Sequence, residues 1–491
     1  MLTNVNSRAL PAEYNPAMLG KRQRISTADL TSGPITRSLF RLAWPVVLAN
    51  LLQTSYSFVN MLWLGRLGKS AVAAPTISWP LVFLMMSIGG GLTVAGTALV
   101  AQYTGARRPE EANEAAGQVV AFVAILAAAL AAVGVLAARP LMLLMGAGPD
   151  LLRDATTYLR VTYAGLPALF GTYVVTALLN GVGDTFTPMV LMGLSVVANV
   201  GLDWLLIFKH GSFPGWGVAG AAAASVFCQA GVTAVGMYLL FSGRLRVHIR
   251  PHHLRLRWKR VKEIVAIGLP SSVGQSGTAL GFAVMMGTLA RFGTAVVGAF
   301  GIGNRIISVA LMPAMGLGQA TAAMVGQNLG AEKPDRAQRA AWTGMVISAG
   351  FLVVASAFVY VLRGSLVRLF IADAEVVQLG APMFSVTALA FPFMAILQVI
   401  IGTYQGSGHT FYSMFFDLFR LWGLRVPLVY LLGFTLNMGA SGVWWSMPLS
   451  NAGTAVLALG FFLTGNWKHR VIKEAPLPVE ATVEEGIPLQ R

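Results

Sequence analysis

Residues 91–112 read GLTVAGTALVAQYTGARRPEEA, and residues 316–337 read GLGQATAAMVGQNLGAEKPDRA. The two stretches align without a gap at an offset of 225 residues, and the same offset holds far beyond them. Pro45 falls on Pro270, Gly68 on Gly293, Gln102 on Gln327 and Pro109 on Pro334. Further along, Gly181, Gly183, Thr185 and Phe186 fall on Gly406, Gly408, Thr410 and Phe411, and Gly217-Val218 on Gly442-Val443. Chance similarity drifts in register; a constant offset along most of the chain identifies an internal duplication.

Composition says what kind of unit was duplicated. Of 491 residues, 56% are hydrophobic and only 11% charged, against about 25% charged in a soluble domain. A single cysteine, Cys228, rules out a disulfide scaffold, and 23 prolines are too few for a proline-rich disordered chain. Twelve apolar runs cover approximately 42–64, 77–101, 117–138, 158–179, 188–208, 217–241, 265–289, 295–325, 341–362, 379–404, 415–432 and 442–463. Each is long enough to cross a bilayer as a helix, which takes roughly 17–25 residues. The runs are continuously apolar rather than alternating, which argues against a β-barrel. The expectation is an all-α integral membrane protein of twelve transmembrane helices in two six-helix bundles. Six is even, so both copies share one orientation and a pseudo-two-fold axis runs along the membrane normal. The chain divides into an N-terminal tail (1–35), an N-lobe (36–241), a basic linker (242–262), a C-lobe (263–464) and a C-terminal tail (465–491).

The net charge of +16 suggests nucleic acid until the charges are placed. Twenty-three lysines and arginines fall in the tails and in the loops on the tails' side, and eight in the opposite loops. The positive-inside rule therefore puts both termini in the cytoplasm of a multi-pass protein of the plasma (inner) membrane. The densest run, RLRVHIRPHHLRLRWKRVK from Arg244 to Lys262, is a linker between spans six and seven that suits anionic headgroups. No folded basic domain is present, so no nucleic-acid partner is expected. The segment before 42 has no signal-peptide core, so the first span is expected to stay in the mature protein.

Among nineteen acidic residues, Asp203 alone sits well inside an apolar span. A carboxylate at that depth is costly and by default marks an ion or proton pathway. Asn199, four residues earlier, shares its helical face. In the first span Gln53, Tyr56 and Asn60 form a polar stripe, and Asn60 and Asp203 lie at a similar depth, four residues before Leu64 and five before Phe208. A carboxylate with amide and hydroxyl oxygens suits a dehydrated Na⁺, and a desolvated carboxyl equally suits a proton; the residues leave both open. Asn180, at the end of span four, is a further candidate. Pro45 interrupts the first span and is a candidate hinge. The second copy lacks the acid, because Asp203 falls on Leu428 and Asn60 on Met285. There Asp417 and Arg420 are spaced to pair, whereas Asn304, Arg305 and Arg425 are candidates to line a cavity. The histidines fall at loops or span ends, and no metal site, nucleophilic triad or phosphate-binding loop is read, so no enzyme and no bound cofactor are expected.

The stretches LAWPVVLANLLQTSYSFVNMLWLGRLG, GTALVAQYTGA, GVGDTFTP and QGSGHTFYSM…LFRLWGLRVPL resemble the multidrug and toxic compound extrusion (MATE) family across roughly residues 34–463. The last of them, with Asp203 after Asn199, is most similar to the DinF-like branch. The resemblance implies a monomeric exporter of amphipathic, often cationic, small molecules, driven by inward Na⁺ or H⁺ without ATP. In that branch the position of Asn60 is normally an aspartate paired with that of Asp203; the amide here can coordinate a cation but cannot titrate. The wider superfamily also holds lipid-linked precursor flippases, and an organic-anion or lipid-phosphate exporter is the alternative that the arginines favour.

Overall fold

The computed structural model describes residues 30–209, 214–370 and 374–473. The first repeat folds into α1 (Ile35–Leu67), α2 (Lys69–Gly105), α3 (Pro109–Leu144), α4 (Pro149–Ala164), α5 (Leu166–Gly181), α6 (Phe186–Ile207) and α7 (Gly217–Phe241). The second gives α8 (Trp258–Leu289), α9 (Thr294–Gly330), α10 (Pro334–Val361), α11 (Arg363–Phe370), α12 (Ala374–Ala388), α13 (Phe391–Ser407), α14 (Thr410–Leu418) and α15 (Gly439–Leu463).

Among the described residues, eight helices are individually long and apolar enough to cross a membrane. Two bent pairs, α4 with α5 (45°) and the end of α12 with α13 (52°), raise the number to ten. The repeat accounts for two more. The helix α8 is the copy of α1, but Ser271, Ser272, Gln275, Ser276 and Thr278 dilute its apolar character. Residues 410–435 copy α6; they start as α14 and continue in π-helical turns, Phe419–Arg425 and Val429–Thr435. Twelve spans in two six-span bundles are consistent with this architecture.

The same punctuation shapes both copies. Gly68 and Gly293 turn the chain through φ of 118° and 106°, a region that glycine enters without a Cβ penalty. Pro109 and Pro334 open α3 and α10 at the first helical position, where a missing N–H costs nothing. Leu62, Leu136, Leu144, Val197 and Val354 stand 70% or more exposed on the outer faces, as side chains meant for lipid do.

Both described ends of the chain lie on one face of the molecule, and there the repeats close on each other. A Cβ on Gly105 of α2 would lie 1.9 Å from the backbone oxygen of Gln327, and a Cβ on its copy, Gly330 of α9, would lie 1.9 Å from that of Gln102. Higher up, a Cβ on Gly91 would meet the Ser272 backbone of α8 at 2.2 Å, and on its copy Gly316 it would meet Val47 of α1 at 2.5 Å. Each pair is the other's pseudo-symmetric copy, and only glycine allows such helix contact. Towards the opposite face α1 and α9 part and leave a crevice of about 620 Å³.

The segments flanking the bundles cross this seam. The carbonyl of Leu30 accepts hydrogen bonds from Asn328 (3.0 Å) and Arg336 (3.3 Å) of the second repeat, and the Thr31 carbonyl one from Lys333 (3.0 Å). At the other end the Val471 N–H donates to Gln102 Oε1 of the first repeat at 2.9 Å, and Ile472 joins that repeat's core.

The basic linker is stapled along α3. Gln118 donates through Nε2 to the carbonyls of His253 (2.8 Å) and Arg255 (2.6 Å), and its Oε1 accepts the Arg257 N–H (2.8 Å). Asn113 accepts the His248 N–H (2.8 Å), and Glu114 pairs with Arg257 (2.7 Å). Glu110, His252 and His253 come together as a cluster that could in principle hold a metal. The hydrogen bonds read differently. His253 Nδ1 accepts the Arg250 N–H (3.0 Å), so the neutral ring carries its proton on Nε2, which faces Glu110 Oε1 at 2.8 Å and has no lone pair to offer. The two histidines hold the Glu110 carboxyl below the usual carboxylate range, with the His253 hydrogen bond as the main cause.

Candidate ion-coupling site

The geometry begins on α6, where Ser195, Asn199 and Asp203 follow one another at four-residue spacing and are all buried. Asn199 and Asp203 have no exposed surface. Asn199 Nδ2 donates to Asp203 Oδ1 across a long 3.4 Å. The other carboxylate oxygen, Oδ2, is buried with no hydrogen-bond partner.

The helix α1 packs along α6 and brings Tyr56 and Asn60 to the same place. Asn60 Nδ2 donates to Ser225 Oγ of α7 at 3.2 Å. The Tyr56 hydroxyl sits among Ser225, Cys228, Asp203 and Asn60 without a hydrogen bond of good geometry. Cys228 lies beside Asn199 and Ser195, and Tyr158 of α4 is within electrostatic range of Asp203. Around one carboxylate, therefore, Tyr56 Oη, Asn60 Oδ1, Asn199 Oδ1 and Asp203 Oδ2 are all buried and unpaired. Unpaired buried acceptors cost free energy. Among the described residues no lysine, arginine or histidine forms an ion pair with Asp203. The Tyr56 hydroxyl can donate one hydrogen bond and the other three oxygens only accept, so the cluster holds more acceptors than donors.

Three residues of the sequence reading thus converge with Asp203: Asn199, Asn60 and Tyr56. Gln53 stands seven residues below Asn60 on the same stripe, about 10 Å along the helix, and its side chain is exposed. Asn180 is buried at the terminal face, six residues before α6 begins, whereas Asp203 lies 17 residues into α6, roughly 25 Å away along its axis. Pro45 is buried within α1, which runs unbroken through it. In the second repeat Asp417 and Arg420 pair at 3.2 Å, as their spacing implied. Arg425 Nε donates to Ser450 Oγ at 3.0 Å. Ser450 is the duplicate of Ser225, so the same serine serves the polar centre of each bundle. Asn304 and Arg305 line the crevice between α1 and α9. Ser225, Cys228 and Tyr158 escaped the sequence reading, because isolated small or aromatic residues in apolar spans carry no periodic signal.

The sequence profile of the MatE family matches residues 45–205 and again 270–431, once in each repeat. The chain belongs to the MatE family. MatE proteins are membrane transporters and not enzymes. The chain is 26% identical over 463 residues to the probable multidrug resistance protein YoeA of Bacillus subtilis, covering 92% of this chain and 98% of that protein. It is 30% identical over 426 residues to the probable multidrug resistance protein NorM of Xanthomonas campestris (85% and 91% covered). It is 28% identical over 429 residues to a protein of Shewanella oneidensis described as an FAD transporter (86% and 93% covered). In fold it matches the outward-facing conformation of a multidrug resistance MATE family transporter of the MOP superfamily, with a TM-score of 0.84 at 23% identity over 90% of this chain and 98% of that one. The all-helical fold expected from the apolar runs is the fold observed, and the two-bundle arrangement expected from the duplication is consistent with it.

Proposed function

We propose that this MatE transporter exports amphipathic small molecules by antiport, alternating access between its two repeats being driven by H⁺ or Na⁺ that enters through the Asp203 site. The observation that carries the reading is the fully buried, unpaired Oδ2 of Asp203, placed against the α1 residues Tyr56 and Asn60. A cation arriving there neutralises Asp203 and draws in the unpaired oxygens of α1. The helix α1 then responds about Pro45, which leaves a backbone carbonyl without its helical donor and so lowers the cost of bending. Because α1 packs on α9 of the other repeat, a change in its course is felt across the seam. The terminal face, which carries the basic tails and loops, is the cytoplasmic one, and the protein works as a monomer in the plasma membrane.

Asp203 is the one carboxylate in this cluster among the described residues, so one ion per cycle is the simplest stoichiometry. The test is Asp203→Asn in proteoliposomes, with ethidium flux followed at several pH values with and without Na⁺. A proton-coupled site loses its pH dependence in the variant, and a Na⁺ site loses its Na⁺ stimulation. Transport unchanged under every condition overturns the proposal.

A further inference from the structure

The crevice between α1 and α9 is lined by Thr54 and Phe58 from the first repeat and by Asn304, Arg305 and Ser308 from the second, and exposed apolar side chains of α10 such as Val354 form its lipid-facing wall. Its volume, about 620 Å³, lies in the range that takes a drug-sized molecule. Arg305 is exposed into it. The guanidinium stands over the Phe58 ring at 5.7 Å, and among the described residues no carboxylate pairs with it. The neighbouring hydroxyls are already engaged on their own helices, Thr54 Oγ1 with the Asn50 carbonyl (3.1 Å) and Ser308 Oγ with that of Asn304 (2.7 Å).

Arg305 lies eleven residues into α9, roughly 16 Å from its start, at a depth where an unpaired charge is costly. The duplication supplies an internal control. The copies of Thr54, Phe58, Asn304, Arg305 and Ser308 are Ala279, Ala283, Trp79, Pro80 and Phe83, none of them charged. The scaffold therefore does not need a charge at this position.

We infer that the crevice is a binding site for amphipathic organic anions, molecules with an apolar body and one anionic head, for which Arg305 is the counter-ion. The walls fit the body, and the single cation fits the head by a charge-assisted hydrogen bond in place of its weaker contact with Phe58. Phe58 lies on α1 about 160° round the helix from both Tyr56 and Asn60, so the occupant bears on the same helix that faces Asp203. The inference adds a substrate class to the exporter reading, but binding is measured without any gradient and stands or falls separately.

The test uses the full-length protein in nanodiscs and two labelled probes with the same tail, dodecyl phosphate and dodecyltrimethylammonium. Arg305→Gln is expected to weaken dodecyl phosphate about tenfold or more, to spare the cation, and to leave thermal stability unchanged. Arg305→Lys, which keeps the charge but not the planar fork, should weaken dodecyl phosphate less than Arg305→Gln does. Ser308→Trp, which fills the crevice with Arg305 in place, should abolish it. Inorganic phosphate should not compete, because the apolar body supplies much of the affinity. Dodecyl phosphate binding that is unchanged in Arg305→Gln, or both probes weakened equally, overturns the inference. The contrast between the two probes in Arg305→Gln is read with no ion gradient present, so failure of the coupling proposal is distinguishable from failure of this one.

Discussion

The side-chain amide of Gln102 donates to the carbonyls of Gly406 (3.3 Å) and Ser407 (3.0 Å), and that of Gln327, its copy, donates to the carbonyl of Gly181 (2.9 Å), the copy of Gly406. Each repeat thus grips the other with the same residue at the same place, about the pseudo-two-fold axis. A structure closed by this contact can open at the terminal face only by releasing both glutamines, while the glycines beneath them let the helices approach to backbone contact.

Gly330→Ala is expected to destabilise the closed arrangement by about 1–3 kcal/mol, because the new Cβ has only an unyielding carbonyl to meet. Gly350→Ala, within α10 where nothing lies within 4 Å, should be neutral or stabilising by up to about 1 kcal/mol. Thermal unfolding of both in detergent, with amide hydrogen exchange of residues 99–106, checks the contrast; equal effects would refute it.

The two glutamines are not equal. Gln102 Oε1 also accepts the Val471 N–H, whereas Gln327 Oε1 is buried without a partner. Gln102→Ala should therefore be the more destabilising, by about the 1–3 kcal/mol that an orphaned buried group costs. The melting temperatures of the two variants decide the order.

Asn60→Asp places a second carboxylate beside Tyr56 and Ser225 without changing the volume of the side chain. The number of ions exchanged per substrate is expected to rise by one, read from the reversal potential of transport in proteoliposomes. An unchanged reversal potential would show that position 60 does not take part in coupling.

How much of this was visible in the chain itself depended on periodicity. The duplication, the spans and the common depth of Asn60 and Asp203 follow from apolar runs, glycine and proline spacing and a rise per residue. Residues 410–435 and α8 were predicted as spans but not as a π-broken helix and a polar one, since π-helical turns leave no compositional trace. Ser225 meets Asn60, and Cys228 meets Asn199, only through the packing of α7 on α1 and α6. The docking of the linker on Gln118 was equally hidden, because it uses backbone carbonyls, which every residue has.

Gln118→Ala removes all three of its bonds to the linker, roughly 3 kcal/mol of local stability if each contributes about 1 kcal/mol. Trypsin should then cleave between Arg244 and Lys262 at least about tenfold faster, with the bundles left intact. Resistance equal to that of the parent would show that α3 does not hold the linker.

The linker should also loosen in acid. With its carboxyl held below the usual value in the docked form, Glu110 contributes stability that is present at neutral pH and is lost as the pH falls through and below the normal glutamate range. Hydrogen exchange of residues 248–257 across that range should show the loss, and Glu110→Gln should flatten it.

The exchange of chain ends across the seam has a practical consequence. Leu30 is tied to the second repeat and Val471 to the first, so a fluorescent protein or affinity handle fused close to either position would act as a wedge at the place where the halves must part. Spacers that begin well outside residues 30 and 473 keep such a reporter from changing the motion it is meant to follow.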